Sequence, residues 1–326
     1  MISFIKKSYR YAVLFTAVFT LLTVLIVLEA FVVPQVMTPT DEYPSNRPTS
    51  PAAPGDDITS EPTTDPTKTA DNSPYSDSDK PTVTEMSYKD NKISVEIDTI
   101  RYLDTTCYIA DIWIKDITCL KTEFARSTYG KNITEKTSNM ARRLGAVIAV
   151  NGDYYGFRNT GFVVRNGILY RTEPRTGRMS EALTIYYDGT FEVVNEQTAD
   201  CKTLFDNGAY QIMTFGPALM NKGELNVTPK TEVDAYKASN QRTGIGIYEP
   251  HHYCMIVSDG RTEESAGLTL YEFAELFDML GCTEAYNLDG GGSSTMCFMG
   301  RVINVPTSDG IVIAERKVSD CVYIGY

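Results

Sequence analysis

Asn287, Asp289, the glycines Gly290, Gly291 and Gly292, and the hydroxyls Ser293, Ser294 and Thr295 crowd one short stretch, Tyr286 to Thr295. Successive glycines adopt backbone angles closed to other residues, let the main chain approach a ligand, and can aim N–H groups at an anion. On a strand, Asn287 and Asp289 point to the same face. A plain glycine turn needs neither the third glycine nor the flanking Asn-x-Asp pair, so the stretch reads as an anion-binding loop with a carboxylate beside it.

The pattern occurs twice. Leu144 to Asp153 aligns without a gap on Leu280 to Asp289, matching Leu, Gly, Ala, Asn and Asp at equal positions. Each copy follows a helix that stops at a glycine, crosses a short apolar strand and delivers an Asn-x-Asp pair, Asn151/Asp153 in the first and Asn287/Asp289 in the second. The chain is expected to build one site from two similar units.

Other residue types narrow the chemistry. The only two histidines, His251 and His252, are adjacent beside Pro250, as in a surface turn. Zinc hydrolases draw on several spaced imidazoles and a Ser-His-Asp relay needs one beside its nucleophile, so neither is supported. No Walker or Gly-x-Gly-x-x-Gly signature is present, and no nucleic-acid partner is expected. Asp259-Gly260-Arg261 follows an apolar strand, and Gln241-Arg242-Thr243 precedes another. If those strands pair as a hairpin, Arg242 and Arg261 become neighbours able to clamp a phosphate with forked hydrogen bonds. The alternative is a salt bridge from Asp259 to either arginine, which stabilises little.

The ordered set Asn151-Gly152-Asp153-Tyr154-Tyr155, Phe215-Gly216-Pro217-Ala218-Leu219, Arg242 to Gly246, Ser258 to Arg261, Ser265 to Leu270 and Asn287 to Ser294 resembles the phosphodiester glycosidase family. The resemblance extends to Asn304, Pro306 and Glu315-Arg316, covering roughly residues 140 to 324. One departure is Asp153-Tyr154-Tyr155, where many relatives carry Phe-Phe after the Asn-Gly pair. The resemblance implies hydrolysis of a sugar-1-phosphodiester at the sugar C1–O bond, on an envelope or exopolysaccharide glycan. Phosphate monoester leaves easily, so such an enzyme depends on groups that hold phosphate and stabilise positive charge on the sugar. Arg242, Thr243, Arg261 and the N–H groups of Gly290 to Ser294 are then expected at the phosphate. Asp289 or Asp153 would serve as base or nucleophile, with Asp259 the third catalytic candidate. Asn151 and Asn287 would bond sugar hydroxyls, and Tyr154 or Tyr155 would stack on the ring. No cofactor is required, although calcium or magnesium on Asp153, Asp259 or Asp289 is a second possibility. The competing readings are a noncatalytic wall- or glycan-binding module and a metal-dependent phosphodiesterase cleaving the P–O bond.

The elements that must position these residues are mostly strands. Thr184–Tyr187, Phe191–Val194, Gly244–Tyr248 and Tyr253–Val257 are rich in β-branched and aromatic residues and bounded by turn formers. The clearest helix runs from Thr269 to Leu280, where Thr269-x-x-Glu272 forms a capping box, and a second from about Thr134 to Leu144. The expected fold is an α+β domain with a mixed, strand-dominated sheet and two or three helices.

Tyr11 to Leu28 carries no charge and follows Lys6, Lys7 and Arg10. It is long enough for a membrane-spanning signal anchor of roughly 18 to 20 residues, with the N-terminus cytoplasmic and the rest extracellular. A cleaved signal peptide is the runner-up. Residues 34–81 shift to Pro, Thr, Ser and Asp, as in a disordered stalk, and account for much of the net charge of -12. Residues 82–326 then form one catalytic domain, with 1–33 as cytoplasmic stub and anchor. The seven scattered cysteines show no metal spacing; outside the cell some can pair, and those flanking the glycine motif read best as small core residues.

Overall fold

The computed structural model describes residues 2–40, 73–78, 80–177, 180–231 and 239–326, with side chains from residue 9 onward. An N-terminal helix, α1 (Ile2–Phe31), includes the exposed apolar span Tyr9–Phe31, long enough to cross a bilayer. Three shorter helices follow: α2 (Thr137–Leu144), α3 (Cys201–Asp206) and α4 (Leu270–Met279). Strands dominate the remainder, so the expected α+β class holds.

A nine-stranded sheet contains Glu284–Asn287 and the adjacent hairpin Arg242–Glu249/His252–Ser258. A five-stranded sheet centres on Ile148–Asn151, flanked by Met296–Phe298 and Asp320–Ile324. A second five-stranded sheet carries Val163–Arg165, Ala209–Met213, Glu181–Tyr186 and Phe191–Asn195. The single mixed sheet expected from the sequence is corrected to three larger sheets, whose pairings among the described residues are all antiparallel. Short hairpin connections favour antiparallel neighbours. Among the described residues, two helical crossovers step over a strand: His252–Ser258 passes through α4 to Glu284–Asn287 across Arg242–Glu249, and Phe191–Asn195 passes through α3 to Ala209–Met213 across Glu181–Tyr186. The principal core lies where the sheets meet, with Ile112, Ile148, Leu183, Ile245 and Val322 all buried in one cluster.

Local chemistry sets the helix ends. Thr269 Oγ1 accepts the Glu272 N–H at 3.1 Å while Glu272 Oε2 accepts the Thr269 N–H at 2.7 Å, completing the capping box. α4 packs close because Gly244 and Gly246 line its seat: a Cβ on Gly244 would stand 2.9 Å from Phe273 and Phe277. α2 ends at Gly145, whose φ of 61° suits glycine. It begins at Thr137 rather than about Thr134, because Glu135–Lys136 is drawn into pairing with Lys317–Val318.

Of the expected stalk, residues 41–72 and 79 lie outside the described residues. Its margins are docked on the domain. Gln35–Val36 pairs antiparallel with Gly130–Lys131, and Met37 N donates to Tyr129 O at 3.0 Å. Ser76 N donates to Asp90 O at 2.8 Å. Composition does not register such docking, because a strand edge accepts extended backbone whatever its side chains. All seven cysteines are buried and unpaired, with Cys254 Sγ and Cys282 Sγ 3.5 Å apart.

Candidate active site

The two Asn-x-Asp units lie in different sheets and meet end to end. Asn151 Nδ2 donates to the carbonyl of Asp289 at 2.6 Å, and the Asp289 N–H donates to the carbonyl of Gly152 at 3.1 Å. Asn151 Oδ1 accepts from Thr243 Oγ1 at 2.9 Å and from the Thr295 N–H at 3.2 Å. Asn151 and Thr243 are therefore struts binding the two sheets together. Asn287 is half committed: its Nδ2 donates to Gly216 O at 2.8 Å, while its buried Oδ1 has no partner among the described residues. The Phe215-Gly216-Pro217 motif is zipped to the same strand, with Gly216 N donating to Asn287 O and Asn287 N to Pro217 O.

The three expected aspartates occupy different environments. Asp153 is buried, with Oδ2 held by Arg165 Nη2 and the Thr214 N–H, each at 2.9 Å, and Oδ1 by the Tyr155 N–H at 2.9 Å. Burial alone would raise its carboxyl, but the Arg165 guanidinium and these N–H groups outweigh it and hold the group below the ordinary value. Asp259 accepts the Val305 N–H at 2.8 Å, Tyr108 Oη at 3.3 Å and Asn304 Nδ2 at 3.4 Å, and burial pushes its carboxyl up. It reaches the glycine loop only through Asn304, which also donates to Ser294 O at 3.1 Å.

Asp289 is half-buried at the loop itself. Burial pushes its carboxyl above the usual range, opposed by the Ser293 hydroxyl, Arg316, the Gly290 backbone and Arg158. Among the described residues no set of three or more His, Cys, Asp or Glu side chains is placed to hold a metal ion.

Glycine lets arginines close on this loop. A Cβ on Gly291, whose φ is +60°, would stand 3.0 Å from Arg261 Nη2, and one on Gly292 would stand 2.8 Å from Arg316 Nη2. Three of the loop's N–H groups, expected to cradle an anion, are engaged by backbone carbonyls. Gly291 N donates to Gln241 O, Ser293 N to Gly290 O and Ser294 N to Gly291 O. At and beside the loop, Arg261 Nη2, Ser294 Oγ and Thr295 Oγ1 are buried without partners among the described residues. Each of these groups has hydrogen-bonding capacity that a polar ligand could meet. The hairpin pairs Arg242 with Ser258, so the arginines do become neighbours. Burial and the Arg261 charge pull Arg242 down to about 10, and its Nε donates to Leu268 O at 2.9 Å.

The two tyrosines part company. Tyr154 is 37% exposed and its ring pairs with Phe157 at 4.6 Å, with the Arg158 guanidinium 5.5 Å from its centroid. Tyr155 turns inward against Phe124 and Tyr129, so only Tyr154 offers an open face. The histidines lie at the hairpin's far end, where His252 stacks on Trp113 at 3.7 Å and bonds Asp111 at 2.6 Å.

Sequence reasoning missed Arg158, Arg165 and Asp320. Arg165 Nη2 bonds Asp320 Oδ2 at 3.0 Å as well as Asp153, making a buried carboxylate–guanidinium–carboxylate row. Burial and the Asp153 charge push the Asp320 carboxyl far up. An arginine ending the apolar run Phe162-Val163-Val164 was a usable signal, since a buried charge needs a partner. Asp320 had none locally. It arrives through the register of Cys321 with Asn151.

A family model described as phosphodiester glycosidase matches residues 144–325. The chain is 33% identical over 205 residues to the SPbeta prophage-derived uncharacterized protein YomE of Bacillus subtilis (strain 168), covering 61% of this chain and 31% of that protein. It is 23% identical over 191 residues to N-acetylglucosamine-1-phosphodiester alpha-N-acetylglucosaminidase of Bos taurus, covering 56% of this chain and 32% of that one. The chain thus spans about a third of the length of the curated relatives it matches. The solved zebrafish N-acetylglucosamine-1-phosphodiester alpha-N-acetylglucosaminidase catalytic domain, auto-inhibited by its pro-peptide, shares the fold. Its TM-score is 0.55 at 20% identity, covering 72% of this chain and 83% of that one.

Proposed function

The chain belongs to the phosphodiester glycosidase family, and from that membership we propose that it is a membrane-anchored extracellular hydrolase cleaving the glycosyl C1–O bond of a sugar-1-phosphodiester. The observation that carries this reading is the convergence on one loop of a raised carboxyl, Asp289, with the guanidinium groups of Arg158, Arg261 and Arg316. A carboxylate beside clustered guanidinium groups suits a reaction in which phosphate departs while positive charge develops on the sugar.

In this scheme the phosphodiester lies against Arg261 and Arg316, with Arg242 behind them. Asp289 either takes a proton from the attacking water or attacks C1 itself, in which case water then hydrolyses the resulting glycosyl ester and frees the carboxylate. The C1–O bond breaks and its electron pair leaves with the phosphate monoester. Asn287 Oδ1 and the Ser294 and Thr295 hydroxyls bond the substrate, and Tyr154 carries the sugar ring. Asp153, fully engaged with Arg165, holds the floor of the site. The names of the relatives suggest N-acetylglucosamine as the first sugar to try, on an envelope or exopolysaccharide glycan. Positive charges before the apolar span favour an anchor with the domain outside.

Hydrolysis in oxygen-18 water tests the reading. Label is expected in the released sugar and not in the phosphate monoester. Label in the phosphate would place attack at phosphorus and overturn it.

A further inference from the structure

Two apolar projections flank the candidate site, and nothing in the proposed chemistry uses them as a pair. Ile311, Val312 and Ile313 stand 85%, 59% and 57% exposed. Their turn is braced from beneath: Asp309 Oδ1 accepts the N–H groups of Ile311 and Val312 at 2.9 Å, and Thr307 Oγ1 accepts that of Gly310 at 2.9 Å. The same turn is tied to the site, because Arg261 Nη1 donates to Ser308 O at 2.6 Å and Ser308 Oγ sits against Gly292. A contiguous run of large β-branched residues held outward is an interaction surface, unlike a scattered exposed Leu or Val. The other projection is Tyr154 with Phe157, the latter 40% exposed.

What lies next to that second projection is the end of the apolar helix. Asn132 Nδ2 donates to Ala30 O at 3.1 Å and Val33 O at 3.2 Å, clasping the end of α1. The N–H of the same residue donates to Gly156 O at 3.2 Å, between Tyr154 and Phe157. Lys131 Nζ bonds Asn159 Oδ1 at 2.6 Å just beyond. The rim of the site is thus fastened to the point where the membrane-spanning segment emerges. Aromatic and aliphatic side chains beside cationic groups suit the bilayer interface, where lipid phosphates lie above hydrocarbon.

We propose that the aglycone of the substrate is a membrane lipid: the enzyme takes a glycosyl-1-phospholipid from its own bilayer, with Ile311, Val312 and Ile313 entering the interface and the arginines meeting the lipid phosphate. This rests on the glycosidase and anchor readings above.

The test uses the full chain in proteoliposomes, with two readouts. A bimane label on Val312→Cys is expected to be quenched by doxyl-labelled lipid. The same label on Met279→Cys, at the exposed end of α4 away from the site, is expected to stay bright. Hydrolysis of the methyl and octadecyl phosphodiesters of N-acetylglucosamine is measured alongside. The triple variant Ile311→Ser, Val312→Ser, Ile313→Ser is expected to lose at least tenfold on the octadecyl substrate while keeping its rate on the methyl one. An unquenched label at position 312 overturns the proposal, and so does an equal effect of the triple variant on both substrates. Quenching with no hydrolysis of either substrate, although the wild type retains its fold, overturns the lipid-substrate proposal together with the glycosidase reading. Quenching with hydrolysis of the methyl substrate alone overturns the lipid aglycone while the glycosidase reading stands.

Discussion

At the scale of single residues, the carboxylates are sorted by their partners. Among the carboxylates of the described residues Asp289 alone combines partial exposure with a raised carboxyl, so Asp289→Asn is expected to cut kcat by orders of magnitude in steady-state assays with the fold intact. The His251→Ala, His252→Ala pair, remote at its hairpin turn, should leave most activity. Arg316 opposes the rise of the Asp289 carboxyl. Removing it as Arg316→Met should therefore move the acid limb of the kcat/KM profile to higher pH, and an unmoved limb would detach Asp289 from that limb. The buried row is a matter of stability. Asp153→Asn leaves Arg165 short of its charge partner and is expected to cost about 3–5 kcal/mol in urea unfolding. The depressed Asp153 carboxyl contributes stability above the unfolded value of about 3.9, lost as pH falls through its folded value. Asp320 has the opposite sign: its raised carboxyl stabilises below that unfolded value, and the contribution is lost as pH rises through the folded one. Asp320→Asn should accordingly flatten the stability profile on the neutral side.

At the scale of elements, the close seat of α4 depends on two glycines within a buried strand. Gly244→Ala would drive a methyl into Phe273 and Phe277 and is expected to lower stability by about 1–3 kcal/mol in thermal unfolding, with Gly246→Ala similar. Much of this level was legible in the sequence. The capping box at Thr269, the glycine stop of α2, the hairpin of Arg242–Glu249 with His252–Ser258 and the repeated helix-glycine-strand unit all follow from local rules. The site was legible where a motif brings its own neighbours, as Asp289 and the glycine loop do. It was illegible where pairing between distant strands decides the partners. Asn151 was expected to bond a sugar hydroxyl, and the register alone could not show that one of its N–H groups holds Asp289 and its oxygen holds Thr243 and Thr295. Tyr155 shared a motif with Tyr154, and adjacent side chains simply left on opposite sides.

At the scale of the whole molecule, the N-terminal segment and the domain are fastened at the end of α1. With the domain outside, protease added to intact cells is expected to cut first within the Pro/Thr/Ser/Asp-rich residues 41–72 and leave a fragment beginning near residue 73, identified by N-terminal sequencing. Full protection of the domain would reverse the topology. The mutual grip of Asn151 and Asp289 has a further consequence. Each half of the chain carries one Asn-x-Asp unit, and the aspartate assigned to the chemistry takes its backbone position from the other half. A polypeptide still being translocated, with Asn151 emerged and Asp289 not yet delivered, has no competent centre. On the proposed topology, turnover waits until the segment carrying Asp289 has been delivered and the two sheets have closed on each other, so a hydrolase that consumed its own membrane's lipids would stay silent until that moment.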